Sequence, residues 1–172
     1  MPKAPPRRRL VVVRHAKSDY PEGVEDHDRP LSDRGERDAQ ALGPLLRDVG
    51  WPELVLCSTA VRARRTWELA EGALDVPTTV RYEPSLYLAT ARAVLGMVRG
   101  VDDDVERLVL VAHNPGAHDL AVQLVGAGRT ADRDRLEEKM PTSGVVVLGV
   151  GAPWADLGDG CATLLSFTAA RG

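Results

Sequence analysis

Short apolar runs recur along the chain, separated by longer stretches whose apolar residues fall at helical spacing. Brief runs of this kind, many of them rich in β-branched residues, are typical of buried strands. They predict strands over 10–13, 54–57, 78–82, 107–112, 144–150 and 162–168. The stretches between them predict helices over 33–49, 61–73 and 90–99, and from residue 115 to about 125. Residues 128–142 are charged and predict a short helix or a surface loop.

The helix predicted over 33–49 carries signals at both of its ends. Ser32 is a favoured N-cap residue, and Gly50 follows as a C-terminal stop. Its apolar positions recur every three or four residues, at Ala39, Leu42, Leu45, Leu46 and Val49. Strands that alternate with helices in this way predict an α/β fold, a three-layer α/β/α sandwich around a mostly parallel sheet.

Three of the predicted strands lead directly into side chains that bind anions. Arg14 and His15 follow the first strand, His113 follows the strand 107–112, and Arg62 lies just beyond the strand 54–57. In open α/β sheets, ligands bind outside the carboxyl ends of the strands. Two imidazoles and several guanidinium groups at one edge of the sheet form a site for a dianion, and a phosphoryl group fits best.

The residues after His113 add to this expectation. Asn114 is a favoured N-cap residue, and Pro115 suits the first position of a helix. The helix would then begin beside His113 and direct backbone N–H donors at a bound anion.

Composition narrows the class of protein. A length of 172 residues suits one domain with a real core, and a net charge of −3 argues against general binding to nucleic acid or an anionic membrane. Two cysteines without metal-type spacing favour a reducing compartment, so the expected location is the cytoplasm. The expected domains are a flexible basic and Pro-rich tail over 1–8, whose arginines are solvated, and a single domain over 9–172.

The loop 19–31 is long for a strand-to-helix connection, and such loops are often functional. Lys17 and Ser18 lie close enough to Arg14-His15 to reach a bound phosphate, and Arg29 could line the mouth of the site. His27, in the same loop, is expected to be solvated. No cofactor or metal is expected, because neither the acidic turn 102–104 nor His113 with His118 has the spacing of a metal site.

Together these residues resemble the histidine phosphatase superfamily, which has the phosphoglycerate mutase-like fold. Its signature is Arg-His-Gly or Arg-His-Ala after the first strand, then Ser-x-x-x-Arg-Ala-x-x-Thr, then a late strand that ends in His. This chain has Arg14-His15-Ala16, the stretch from Ser58 to Thr66 that contains Arg62 and Ala63, and His113. Within the superfamily, the short chain and the stretches Arg29-Pro30-Leu31-Ser32 and His113-Asn114-Pro115-Gly116 are most similar to SixA-type phosphohistidine phosphatases. The resemblance covers about residues 10–126.

The resemblance implies a role for each residue. His15 would attack phosphorus as a neutral imidazole and form a phosphohistidine, provided that its other ring nitrogen keeps a proton against a backbone carbonyl. Arg14 and Arg62 would clamp the phosphoryl group, and His113 would contact it as a cation or a hydrogen-bond donor. Lys17, Ser18, Arg29 and Asn114 would complete the substrate site. Arg64 and Arg65 are expected to be exterior or salt-bridged.

The general acid is the least defined role. Many members of the superfamily place a Glu after the third strand, and Glu83 falls there, so it is the first candidate. Asp19 and Asp26, in the loop 19–31, rank lower. A phosphorylated imidazole needs less proton donation than an alkoxide, so the acid matters less for a phosphohistidine substrate.

Several functions compete. The preferred one is a SixA-like phosphatase that acts on protein phosphohistidine, and its close competitor is a small-molecule phosphomonoesterase. A phosphoglycerate mutase would need more chain to enclose its substrate, and a non-catalytic phosphate-binding module would not need His15. A cysteine phosphatase requires Arg six residues after the Cys, but Ala63 stands there after Cys57.

Overall fold

The computed structural model describes residues 6–172. Its strands are β1 (Arg8–Arg14), β2 (Leu54–Ser58), β3 (Thr79–Glu83), β4 (Arg107–Ala112), β5 (Val125–Gly128), β6 (Gly144–Val150) and β7 (Ala162–Ala169). Its α-helices are α1 (Asp33–Val49), α2 (Val61–Glu71), α3 (Ala91–Arg99), α4 (Gly116–Leu124) and α5 (Thr130–Glu138). Short 3-10 turns span Asp26–Asp28, Pro84–Leu86 and Trp154–Asp156.

The strands form one sheet in the order β3-β2-β4-β1-β6-β7-β5. Neighbours are parallel throughout β3, β2, β4 and β1, whereas β6 runs antiparallel to both β1 and β7. The mostly parallel sheet of the expected α/β/α sandwich is confirmed. Since β2, β4 and β1 are adjacent, the three strands that lead into Arg62, His113 and His15 lie side by side.

Helices cover both faces of the sheet because side chains alternate along each buried strand. In β1, Leu10 and Val12 face the core formed with α3, α4 and α5, whereas Val11 and Val13 face the core formed with α1 and α2. A strand buried on both faces reads as a continuous apolar run, which explains the run at 10–13.

The N-terminal boundary differs from the expected one. Residues 1–5 of the expected tail lie outside the described residues, but Arg8 belongs to β1 and is buried. Its guanidinium lies 3.0 Å from the Asp103 carboxylate, and Arg7 pairs with Glu106 at 2.5 Å. The prediction of a solvated tail is therefore wrong for Arg8, whereas Arg7 is exposed as expected and forms its ion pair at the surface.

One strand was missed. The helix predicted to about 125 ends at Leu124, and the next four residues form β5 beside β7. β5 contains two glycines and is too short to show a periodic pattern. A Cβ on Gly126 would lie 2.0 Å from the carbonyl oxygen of Gly160, so the strand depends on close backbone contact.

α1 has the expected bounds, and the Ser32 hydroxyl accepts a hydrogen bond from the N–H of Gly35 at 3.1 Å. Over residues 6–172, no helix is long and apolar enough to cross a membrane.

Candidate active site

A cavity of about 300 Å³ opens at the carboxyl ends of β1, β2 and β4. Eight of the nine residues predicted for the site line it: Arg14, His15, Lys17, Ser18, Arg29, Arg62, His113 and Asn114. The ninth, Glu83, does not line it. The lining also includes Tyr20, Asp26, Leu88 and Thr142, of which only Asp26 was considered from sequence.

His15 is 7% exposed, and its ring lies at the base of the cavity. Its Nδ1 lies 2.7 Å from the carbonyl oxygen of Ala16, a geometry in which Nδ1–H donates and Nε2 keeps its lone pair. Burial lowers the pKa of His15 to about 3, and the nearby His113 acts in the same direction. The imidazole is therefore neutral at physiological pH, as a nucleophile must be.

Hydrogen bonds of the Thr66 hydroxyl fix the turn that carries His15. The N–H of Ala16 donates to Thr66 Oγ1 at 3.0 Å, and the Thr66 hydroxyl donates to the carbonyl of Arg62 at 2.6 Å. Ala16 is fully buried, so its methyl group fits within the core. The Arg-Ala-x-x-Thr spacing thus places Thr66 one helical turn after Arg62, where it joins α2 to the end of β1.

Arg14 is anchored by a segment far away in the sequence. Its Nη1 donates to the carbonyl of Met140 at 3.1 Å, and Asn114 Nδ2 donates to the same oxygen at 2.9 Å. The N–H of Ser143 donates to the carbonyls of both Arg14 and His15. The segment between α5 and β6 therefore positions Arg14 and the strand end, although no sequence pattern marked Met140.

Asn114 does not cap a helix, so that prediction is wrong. α4 begins at Gly116 after a cis Asn114–Pro115 bond, and Pro115 occupies the N-cap position without a side-chain cap. The Asn114 amide instead donates to the carbonyl of Met140, the same oxygen that accepts from Arg14.

Arg62 is 2% exposed and binds Asp26 through both terminal nitrogens. Nη1 lies 2.5 Å from the Asp26 carbonyl oxygen, and Nη2 lies 3.1 Å from Oδ2. Arg64 and Arg65 instead pair with Glu68 and Glu36 outside the cavity, as expected.

His113 is 3% exposed, and its ring centroid lies 5.1 Å from that of His15. Its Nε2 lies 2.7 Å from Ser58 Oγ, which explains the Ser of the Ser-x-x-x-Arg motif. Burial, followed by the charge of Arg62, lowers the pKa of His113 to about 4. His113 was expected to act either as a cation or as a hydrogen-bond donor. With this pKa the ring is neutral at physiological pH, which favours the role of a hydrogen-bond donor.

Ser18 and Arg29 are buried against each other rather than projecting freely into the cavity. Arg29 Nη1 donates to Ser18 Oγ at 2.9 Å and to the Asp19 carbonyl at 3.2 Å. Its guanidinium carbon lies 3.9 Å from the centre of the Tyr20 ring. These contacts hold the two ends of the loop 19–31 together beside the site, whereas Lys17 lines the cavity with an exposed side chain.

The predicted acid and the carboxylate in the cavity are different residues. Glu83 ends β3 opposite Ser58, and neither Glu83 nor Asp19 is among the described residues that line the cavity. Asp26 does line it, and the hydroxyl of Tyr87 contributes most to lowering the pKa of Asp26 to about 2. Asp26 is therefore ionised and accepts hydrogen bonds, and the position of Glu83 gives its predicted acid role no support.

Tyr87 and His27 belong to the surroundings of the site, although the sequence did not single out Tyr87. The Tyr87 hydroxyl donates to Asp26 Oδ2, and its ring packs edge-on against His27 and His113 at centroid distances of 4.8 and 5.6 Å. His27 Nε2 lies 3.0 Å from Thr59 Oγ1, and its side chain is 39% exposed, so His27 is partly solvated and also held by the protein. The one available signal for Tyr87 was its aromatic character, in a chain with three Tyr.

Two alternatives lose support from the structure. Cys57 is buried outside the cavity lining, and burial raises the pKa of its thiol to about 12, so it is not a thiolate nucleophile. His118 contacts the carbonyl of Leu136, at 2.5 Å from Nε2. Within residues 6–172, no group of three or more His, Cys, Asp or Glu side chains could hold a metal ion.

The sequence matches a protein-family model and a bacterial protein of similar length. The sequence model of the histidine phosphatase superfamily (branch 1) matches residues 10–86. An uncharacterised protein of Mycobacterium tuberculosis H37Rv is 44% identical over 162 residues, which cover 92% of this chain and 100% of that protein.

Two solved structures are similar over nearly the whole chain, and both proteins are provisionally named phosphohistidine phosphatase SixA. The one from Nakamurella multipartitia has a TM-score of 0.85 at 30% identity and covers 96% of this chain and 97% of its own. The one from Agrobacterium tumefaciens has a TM-score of 0.79 at 27% identity, with coverages of 97% and 99%. With the family motifs gathered around one cavity, the chain belongs to the histidine phosphatase superfamily.

Proposed function

We propose that the protein is a phosphatase in which His15 is the nucleophile and the substrate is a protein phosphohistidine. The observation that carries the proposal is the state of His15, a buried neutral imidazole whose Nδ1–H is held by Ala16. Its Nε2 lone pair is free to react in a cavity that Arg14 and Arg62 also line.

The reaction has two steps. Nε2 of His15 attacks phosphorus in line, a new N–P bond forms, and the bond to the leaving group breaks with its electron pair. Arg14, Arg62 and His113 hold the three phosphoryl oxygens and stabilise their negative charge. Water then attacks the phosphohistidine, the N–P bond breaks with its electron pair returning to Nε2, and phosphate leaves with the hydroxyl group and the proton of that water.

The carboxylate in the cavity favours a phosphorylated imidazole over an alkyl ester as substrate. Asp26 is ionised and accepts hydrogen bonds from Arg29, Arg62 and Tyr87, so it has no proton to give to an alkoxide. A phosphohistidine can already carry a proton on its second ring nitrogen and therefore leaves as neutral imidazole. The similarity to proteins provisionally named SixA supports the same substrate class.

The rim of the cavity favours a substrate carried on a protein. Tyr20 and Leu88 are 75% and 57% exposed, and both line the cavity mouth above its charged floor. Their apolar atoms can contact the parts of a larger substrate that surround its phosphoryl group. A small phosphomonoester is the second candidate, because a cavity of about 300 Å³ also accommodates a small ligand.

The test is phosphate release without added metal, measured with a phosphohistidine protein and with a small aryl phosphate. We expect turnover of the phosphohistidine protein with a clear preference over the ester. His15→Ala should reduce turnover by about a thousandfold or more, because the variant lacks the nitrogen that forms the bond to phosphorus. His118→Ala, which alters a histidine outside the cavity lining, is the matched control and should keep full activity.

Each other outcome has a definite meaning. Preference for the aryl phosphate, still dependent on His15, would retain the mechanism and replace the substrate class. Turnover that survives His15→Ala would overturn the mechanism. Tight binding of inorganic phosphate without release from either substrate would indicate a phosphate-binding module.

A further inference from the structure

We propose that Asp26 and Tyr87 are positioning residues that hold Arg62 in its phosphate-clamping orientation. The proposal rests on the proposed function, since that function assigns Arg62 to the phosphoryl group. Asp26 comes from the loop between β1 and α1, Tyr87 follows the turn Pro84–Leu86, and Arg62 lies in α2. Three segments that are distant in sequence thus meet at one carboxylate.

Arg62 and Asp26 each contribute two atoms to their contact. The Arg62 side chain is 3% exposed, and a buried guanidinium needs a partner for its charge. Asp26 supplies both its backbone carbonyl and its side-chain Oδ2. Among the described residues that line the cavity, Asp26 is the single carboxylate.

This contact leaves Arg62 free to bind a phosphoryl group. A guanidinium has five N–H donors, and Asp26 takes one from each terminal nitrogen. The Nε of Arg62 is buried and has no partner within the described part of the chain. Asp26 therefore fixes the far end of the guanidinium instead of competing for the donors that remain.

Arg14 shows the same arrangement with a different anchor. Its Nη1 is held by the carbonyl of Met140, and its buried Nε also lacks a partner among residues 6–172. Both clamp arginines are thus anchored through a terminal nitrogen and keep an unsatisfied Nε. Buried donors usually have partners. Arg8 and Arg133, outside the cavity lining, also have a buried Nε without a partner among residues 6–172, so it is the position of Arg14 and Arg62 in the cavity lining that points to an anion as their partner.

Tyr87 fixes the carboxylate in turn. Its hydroxyl donates to Oδ2 of Asp26, while Arg29 Nε donates to Oδ1 at 3.0 Å. The guanidinium carbon of Arg62 lies 5.8 Å from the centre of the Tyr87 ring, whose edge-on contacts also include His113. Tyr87 therefore acts on the reacting groups through Asp26 and through packing, without lining the cavity itself.

The test compares steady-state kinetics and inhibition by inorganic phosphate across matched variants. Asp26→Asn keeps the shape of the side chain and removes its charge, and Tyr87→Phe removes only the hydroxyl. Asp28→Asn is the control for the first, since Asp28 lies in the same turn with a side chain that is 66% exposed. Tyr82→Phe is the control for the second, because Tyr82 lies against Arg64 outside the cavity lining.

We expect kcat to fall about tenfold to a hundredfold in Asp26→Asn, because small misplacement of a clamping group costs that much. In Tyr87→Phe, kcat should fall by about threefold to tenfold. KM should change little in both variants, and both controls should have kinetic constants close to those of the wild type. The double variant should be no slower than Asp26→Asn alone, since Tyr87 acts through Asp26. If Asp26 and Tyr87 only stabilised the fold, their variants would have a lower thermal unfolding midpoint. A fall in kcat at an unchanged midpoint therefore indicates a positioning role.

Three results would overturn the positioning role. In the first, both variants have the same kcat as their controls. In the second, the losses in kcat multiply in the double variant. In the third, phosphate affinity rises in Asp26→Asn at unchanged kcat, which would show that Asp26 competes with phosphate for Arg62. Failure of the proposed function gives a different result, namely no His15-dependent turnover in the wild type. In that case, weaker direct binding of inorganic phosphate by Asp26→Asn than by the wild type would still support the positioning of Arg62.

Discussion

His15 and His113 show how burial sets the state of a side chain. Both are almost completely buried, their ring centroids lie 5.1 Å apart, and Arg14 and Arg62 line the same cavity. A proton on either ring would place another positive charge in a desolvated cluster of cations. The same crowding that attracts a phosphoryl dianion therefore keeps the nucleophile neutral and reactive.

This state can be observed by ¹⁵N NMR of the histidine rings. In the folded protein, we expect His15 to remain the neutral Nδ1–H tautomer from pH 8 to pH 5, because its pKa is lowered to about 3. His113 should stay neutral over most of the same range, since its pKa is lowered to about 4. In the chain unfolded by urea, both rings should titrate near the ordinary value of 6.5.

A midpoint near 6.5 for His15 in the folded protein would contradict the burial argument. So would a spectrum in which Nε2 carries the proton, because the hydrogen bond to the Ala16 carbonyl requires Nδ1–H.

At the scale of elements, two helices begin against the loops of the site without room for a side chain. A Cβ on Gly35 would lie 1.9 Å from the carbonyl oxygen of Lys17, and one on Gly116 would lie 2.0 Å from that of Ala89. The first contact seats α1 beneath the turn after His15. The second seats α4 against the segment that carries Tyr87 and Leu88.

Gly116→Ala should therefore separate α4 from that segment. We expect a loss of about 1–3 kcal/mol in the free energy of unfolding, because the clash is with backbone that cannot move aside cheaply. Gly96→Ala is the matched control: Gly96 lies within α3, and nothing is within 4 Å of its added Cβ. Because Ala favours a helix over Gly, the control should gain about 0.5–1 kcal/mol.

Urea unfolding of both variants measures these changes. Equal stabilisation of Gly116→Ala and Gly96→Ala would show that the approach of α4 to Ala89 is not a packing constraint.

At the scale of the whole molecule, the buried histidines couple the site to the stability of the fold. Below pH 6.5 the unfolded chain binds a proton at His15 and at His113, whereas the folded protein excludes them until about pH 3 and pH 4. The unfolded state then holds more protons, so stability falls as pH falls through this window. Each histidine contributes a slope of about 1.4 kcal/mol per pH unit at most.

The contribution can be isolated by comparing wild type with His15→Ala. Between pH 7 and pH 5, we expect the urea midpoint of the wild type to fall more steeply than that of the variant. Carboxylates titrate in both proteins and cancel in the comparison. Parallel curves for the two proteins would rule out a depressed pKa for His15.

The amino-acid sequence by itself determined the parts of this protein that depend on local pattern. Apolar runs predicted the buried strands, and Ser32 and Gly50 predicted the two ends of α1. The positions of Arg14, His15 and His113 at the ends of strands predicted the site. Adjacent parallel strands end at the same edge of a sheet, so those marks were enough to predict that the residues share one cavity. The Arg-Ala-x-x-Thr motif likewise encodes a single helical turn in α2.

The tertiary structure alone decided which groups support those residues. Arg14 is held by the carbonyl of Met140, 126 positions away, and Arg62 is held by Asp26 at a separation of 36. A backbone carbonyl has no sequence signature, and a carboxylate in a polar loop looks like any solvated charge until the loop is folded. For the same reason, the sequence predicts a helix cap at Asn114 and gives no sign of the role of Tyr87. Contacts between distant segments depend on how elements pack, and no local pattern contains that information.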